Sequence, residues 1–382
     1  MIAAVTEKQN RIMKRSGIIA CTALTLLTPL GLLLIHLARG NAEAVERLYS
    51  RGLYHGMATA LTALTGRLPF SAMEVILLLL VAVALLYLVF WVREAVRQKR
   101  RWWRVCLKRL WILASAVSAV FFWFILTSDL NYYRISVGQS LGLQTEATDV
   151  ETLRSLCYLL AEQAGELRSD CEENSDGIFI SSVAYTELAA TASDAVNALD
   201  ELYGVQLFDL AARTRRKAMY FSEIMSYIQL TGVIFPYISE PNINVHQPAY
   251  GIPSTMCHEL SHICGFMRED EANFISYLAC YHSGNIELQY SGAMMGLIHA
   301  TNRLYRYDPN AWQEICSLLP EGVLRDISAN SRYWKKYETP VGEAADRWND
   351  AYLKANAQTD GVQSYGRMVD LLIAFYRSQN AL

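Results

Sequence analysis

The residues whose types and spacing could do chemistry together are His258, Glu259 and His262, in the run Cys257-His258-Glu259-Leu260-Ser261-His262. On a helix, residues four apart stack on one face, with Cβ atoms roughly 5–6 Å apart. Two imidazoles so placed can reach one zinc ion at about 2.0–2.1 Å each. Glu259 is turned about 100° from His258 around the helix and is not a ligand of the same ion. It can hold the metal-bound water and take its proton. The chemistry is hydrolysis of a peptide bond: zinc polarises the scissile carbonyl and lowers the pKa of its water to about 7, and Glu259 carries the proton to the leaving amine. The plainer reading is a buried helix with two hydrogen-bonded histidines. Pure metal binding, as in a membrane-tethered sensor or scaffold, is a third, and it has no need of Glu259.

The flanks predict how the motif is held. Pro253-Ser254-Thr255 reads as a helix start with Ser254 or Thr255 as N-cap, and Gly265 as a helix stop. That gives a helix of about three turns. A catalytic zinc takes three protein ligands and keeps one open position. A third histidine at the metzincin spacing would fall at position 268, which is Arg268 and cannot ligate. Glu269 follows, opening Glu269-Asp270-Glu271-Ala272-Asn273. Glu269 and Asn273 share a helical face, so the carboxylate can bind zinc while Asn273 orients a histidine. Glu271 is a rival ligand, and His246, His282 and His299 are weaker ones. For the oxyanion donor, Tyr290 ranks ahead of Tyr250 and His282 because it lies soon after the ligand helix. The alternating Asn242-Ile243-Asn244-Val245-His246 reads as a short strand, of a kind that can pair with an extended substrate when it lies at a sheet edge.

This arrangement resembles that of the gluzincins, in which a His-Glu-x-x-His helix is followed by a helix carrying Glu-x-x-Ala-(Asp or Asn). The Glu-x-x-Ala-Asn form is similar to that of the zinc peptidases that clear phage repressors. The resemblance implies the ligand set His258, His262 and Glu269 and a zincin-like domain. It departs from the pattern in distance, since six residues separate His262 from Glu269.

The elements around the motif include membrane spans. Gly17 to Ala38, Ala72 to Val92 and Leu110 to Ser128 are apolar runs of the length a bilayer requires. The first follows a basic tail (Lys8, Arg11, Lys14, Arg15) but is too long for a signal peptide core and lacks an evident cleavage site. The connection between the second and third runs holds Arg93, Arg97, Lys99, Arg100, Arg101, Arg104, Lys108 and Arg109 against one acid, Glu94. The positive-inside rule places this loop and the N-terminus in the cytoplasm and everything after about residue 129 outside it. Trp102, Trp103 and Trp111 read as interface anchors.

The expected organisation is a cytoplasmic tail over 1–16, a three-helix membrane region over 17–128, and an outer domain over 129–382. The fold class is mainly α with a small β-sheet. The motif lies among Pro248, Pro253 and Arg268, too polar a setting for a membrane helix, which excludes an intramembrane protease. The net charge of −3 argues against a nucleic-acid partner. The expected partners are the bilayer and a peptide or protein substrate. Of the eight cysteines, Cys157 and Cys171 are placed to form a disulfide in an outer domain.

The whole chain resembles a bacterial membrane family catalogued as domain of unknown function 3810. The resemblance is carried by the apolar helices, Glu240-Pro241-Asn242-Ile243-Asn244, the motif through Cys280, Tyr290-Ser291-Gly292, and the end from Tyr352-Leu353-Lys354 to Gly361-Val362-Gln363-Ser364-Tyr365-Gly366. It implies metallopeptidase activity and supplies no substrate.

Overall fold

The computed structural model describes residues 16–146, 148–355 and 367–382. The basic N-terminal tail and the segment from Gly361 to Gly366 lie outside the described residues.

The three apolar runs form helices α1 (Ser16–Ala38), α3 (Ala72–Arg97) and α4 (Trp102–Thr127), each long and apolar enough to cross a membrane. Between the first two lie a wide helix of π type (Val45–Tyr54) and α2 (His55–Thr65). Pro29 interrupts α1, and α4 supplies the missing partner. Thr28 N–H donates to Ser118 Oγ at 3.0 Å, and Ser118 Oγ–H donates in turn to the Leu24 carbonyl at 2.7 Å. A hydroxyl on a neighbouring helix thus bridges the broken backbone bond, which is how bilayers tolerate such kinks.

The remainder is mainly helical. Helices α5 (Val150–Ser169), α6 (Tyr185–Tyr203), α7 (Gly251–Ile263), α8 (Glu269–His282), α9 (Ile286–Tyr307), α10 (Pro309–Leu318), α11 (Glu321–Lys335), α12 (Pro340–Ala355) and α13 (Met368–Ser378) follow in order. Helices α5 and α9 start on side-chain caps: Asp149 accepts from Thr152 N–H at 2.7 Å, and Asn285 accepts from Glu287 and Leu288 N–H. The core holds α7 between α6, α8 and α9, with Leu260, Ile263, Phe274 and Leu297 almost wholly buried.

Three short strands cover α7: β1 (Lys217–Ala218), β2 (Gly232–Phe235) and β3 (Glu240–Ile243). Their order is β1-β3-β2, with β1 parallel and β2 antiparallel to β3. The strand expected at 242–246 ends at Ile243 and lies in the centre. Both its edges are paired, so it cannot take up a substrate strand. The edge strand beside the motif helix is β2.

The segment between α1 and α3 is more than the connection that the sequence suggests. Glu46 accepts two bonds from Arg134, from Nε and Nη2 at 2.8 Å each, and Arg134 Nη1 donates to the Cys264 carbonyl at 2.9 Å. Tyr54 is buried, and its hydroxyl donates to the His262 and Ile263 carbonyls at 3.2 and 3.0 Å. Lys217 Nζ donates to the Thr65 carbonyl at 2.9 Å, and Glu240 accepts the Met73 N–H at 2.9 Å. Residues 45–71 therefore pack as part of the C-terminal domain, and a boundary at 129 divides one folded body. These charged and polar residues satisfy one another across 80 residues and more, which local periodicity does not reveal.

Two further expectations change. Cys157 and Cys171 are both free: Cys157 is buried on α5, while the Cys171 thiol, just past the end of α5, donates to the Leu167 carbonyl of that helix at 3.3 Å. The motif helix starts at Gly251, with no side-chain cap. Ser254 and Thr255 lie inside it and donate back to the Gly251 carbonyl.

Just past α4, burial pushes Asp129 up from 3.8 to about 6, against the opposing charge of Arg39, and Asp129 Oδ2 has no hydrogen-bond partner. A raised carboxyl favours the fold fully below its unfolded pKa, and that contribution is lost as pH rises through the folded value. At neutral pH the charged form costs on the order of 2–3 kcal/mol. Asp129→Asn should raise the melting temperature of the detergent-solubilised chain at pH 8 and flatten its fall between pH 4 and 7. An unchanged pH profile would remove Asp129 as its source.

Candidate metal centre

The helix carrying the motif ends as its sequence requires. Gly265 adopts φ +86°, and the N–H groups of Gly265 and Phe266 close on the carbonyls of His262 and Ser261 at 2.9 and 3.1 Å. That left-handed turn suits glycine and reverses the chain. It sets α8 against α7, so that Glu269, in the first turn of α8, faces both histidines.

The three donor atoms converge. His258 Nε2 and His262 Nε2 are 3.0 Å apart. Glu269 Oε2 is 3.3 Å from the first, and its Oε1 is 3.7 Å from the second. In a tetrahedral zinc site with bonds of about 2.05 Å, ligand atoms stand about 3.3–3.4 Å apart. The observed spacings bracket that value, so the residues present fit a zinc ion. The imidazoles are fixed from behind. His258 Nδ1 pairs with Asn273 Oδ1 at 2.8 Å and His262 Nδ1 with the Phe266 carbonyl at 2.7 Å. As donors at Nδ1, both rings leave an Nε2 lone pair for a metal. Asn273 thus holds the orienting place expected for it.

Glu259 is buried, and its Oε2 has no hydrogen-bond partner. Burial drives its carboxyl up to about 8, with His258 opposing and Glu269 adding to the rise. Burial likewise takes His262 down to about 4, helped by His258. On His258 burial pulls downward, but the hydrogen bond and charge of Glu269 outweigh it and raise the imidazole. A dication among these donors would oppose the rise on His258 and Glu259 and add to the fall on His262: it favours neutral imidazoles and ionised carboxylates.

All four residues border a cavity of about 800 Å³. Gly232 of β2 closes one wall. A Cβ there would stand 2.5 Å from Glu259 Oε1 and 2.7 Å from Thr255 Cγ2, so only glycine permits this approach. Tyr132, Tyr250, His299 and Tyr352 also line the cavity.

Four other candidates, Glu271, Tyr290, His282 and His246, do not line this cavity. Glu271 points away: it accepts the Val137 N–H at 3.2 Å and pairs with Arg268 at 3.2 Å. Tyr290, ranked first as oxyanion donor, is not among the cavity's lining residues. Its hydroxyl donates to Asp326 Oδ2 at 2.6 Å, an oxygen it shares with Arg168, so Tyr290 belongs to a buried ion-pair network and the ranking is corrected. His282 bonds Tyr203 among aromatic rings, and His246 borders a different, smaller cavity. His299, considered only as a ligand, lines the same cavity as His258. Burial first, then His258, takes it down to about 4, so it is neutral at pH 7. Tyr132 and Tyr352 were missed altogether; their spacing from the motif carried no signal.

The fold and site together define a mainly helical, membrane-associated protein with two histidines and a glutamate gathered as one potential metal-binding cluster. The chain belongs to the family described as "Protein of unknown function (DUF3810)", whose model matches residues 49–373. That match begins inside the wide helix, so it includes most of the segment packed against the motif. No curated protein and no solved structure matches the chain.

Proposed function

We propose that the protein is a membrane-anchored zinc-dependent peptidase. The observation that carries this reading is the trio His258, His262 and Glu269 at tetrahedral spacing, beside a buried Glu259 oxygen that has no protein partner. A zinc ion held there would supply a Lewis acid and a water of lowered pKa. Glu259 takes the proton of the attacking water and delivers it to the leaving amine. Tyr250 and His299, both on the cavity wall, can donate a hydrogen bond to the developing oxyanion; burial keeps the Tyr250 phenol protonated and His299 neutral. Asn273 and the Phe266 carbonyl hold the imidazoles in the tautomer that ligation needs.

The basic loop between α3 and α4 supports a topology with that loop in the cytoplasm and the peptidase domain outside it. Residues 45–71 pack with the domain and agree with it, because both then lie on the side opposite that loop.

The full chain in detergent should carry one zinc per molecule by plasma mass spectrometry. Hydrolysis of a mixed peptide pool should stop on chelation and return with zinc. A chain that takes up no zinc when it is supplied would sink this reading. Zinc without hydrolysis would favour a metal-binding sensor instead.

A further inference from the structure

The cleft beside Glu259 is built onto the end of a membrane helix. Ser128, the first residue past α4, lines the cavity, as does Tyr132. In the last turn of α4, the Trp123 indole N–H donates to the Tyr237 carbonyl at 2.9 Å, and the Phe124 ring packs 6.2 Å from that of Tyr237 and 6.3 Å from that of Tyr352. Strand β2 joins the two places. It begins at Gly232, against Glu259, and leads through Pro236 to Tyr237, against Trp123. Its outer edge has no strand neighbour among the described residues.

A second feature lies beside the first. The turn around Ser222–Tyr227 exposes Tyr220, Phe221, Ile224 and Tyr227. It is tied to the first turn of α3, where Glu74 accepts the Tyr220 and Phe221 N–H groups at 3.1 and 2.7 Å. Beneath it, Met73, Met219 and Met225 pack with Val233 and Phe235 of β2. Exposed aromatic residues continuous with the lipid-facing surface of a span sit at the membrane–water interface. The sheet edge and the aromatic turn therefore share one footing at the bilayer surface.

We propose, on the basis of the peptidase reading, that the substrate is a polypeptide anchored in the same bilayer, laid as an added strand along β2 and cut just outside the membrane. An extended chain adding to an exposed strand gains main-chain hydrogen bonds. From Gly232 to Pro236 is four residue steps, which at about 3.3 Å each is about 13 Å. The bond cut beside Glu259 then lies about four residues from the point where the substrate leaves the bilayer.

The test uses the full chain in liposomes with two synthetic peptide pools. One carries a mixed-sequence extension on a span of about 20 Leu/Ala residues; the other is the extension alone. Sharing a bilayer raises encounter for any anchored peptide, so the deciding readout is where mass spectrometry finds the cuts. Cuts should cluster about four residues from the span and keep that distance when about ten Gly/Ser residues are inserted before the extension. Cuts that scatter, or that move with the sequence, would overturn the proposal, as would equal cutting of the soluble pool. A second measurement is independent of turnover. Glu259→Gln protein with photoreactive benzoylphenylalanine at position 234 should capture the anchored peptides through residues next to their span. Such capture by the variant, together with no hydrolysis of either pool by the wild-type chain, keeps the substrate class and removes the peptidase reading alone. Capture of neither pool, or of both alike, overturns the substrate class.

Discussion

Glu259→Gln is expected to abolish turnover while the protein keeps its zinc. A positioned general base is worth about 10²–10⁴-fold, so kcat/KM should fall by at least that range. The metal should stay because the donor atoms belong to His258, His262 and Glu269, and Glu259 touches none of the groups that orient them. The fold should tolerate the change, since burial already lifts this carboxyl to about 8 and an amide has the same shape. The measurement is zinc content and peptide hydrolysis on the same preparation. A variant with its zinc and the wild-type rate removes Glu259 as the base.

The second large effect separates two glutamates that lie two positions apart. Glu269→Ala should lose zinc, because one of three protein donors goes; the loss should exceed the about 10–100-fold typical of outer partners. Asn273→Ala should fall within that outer range, since it only releases the His258 ring. Glu271→Ala should keep zinc and lose stability instead. Its carboxylate accepts the buried Val137 N–H and pairs with Arg268, and an orphaned buried donor costs about 1–3 kcal/mol. Metal titration with a competing chelator, read beside thermal melting, distinguishes the two. Zinc lost with Glu271→Ala and kept with Glu269→Ala would reverse the ligand assignment.

How far the sequence could be read follows from the range of the interactions. The spans, the motif helix, its glycine stop and the shared face of Glu269 and Asn273 are all local patterns, repeating over three or four residues. The sequence carried them. Tyr290 was misplaced because its partner, Asp326, is 36 residues away, and nothing near a tyrosine tells which carboxylate it will meet. The expected substrate strand sits in the middle of the sheet because β2, eight residues earlier, pairs with one of its edges and β1 with the other. The inter-span segment was read as a connector because Glu46, Tyr54 and Thr65 find their partners 88, 209 and 152 residues on.

That segment has a consequence for how the molecule is made. The hydroxyl that caps the carbonyls at the end of the motif helix belongs to Tyr54, 208 residues before His262. At about 5–20 residues per second, roughly 10–40 s pass between the synthesis of the two. During that time Glu46 must wait for Arg134 and the wide helix must wait for the turn at Cys264. The earliest part of the domain, which lies between the first two long apolar helices, is thus without its partners until the last of them leaves the ribosome. The later helices then condense onto a segment that was made first. A chain begun at residue 129 would have to build the same helix end without it.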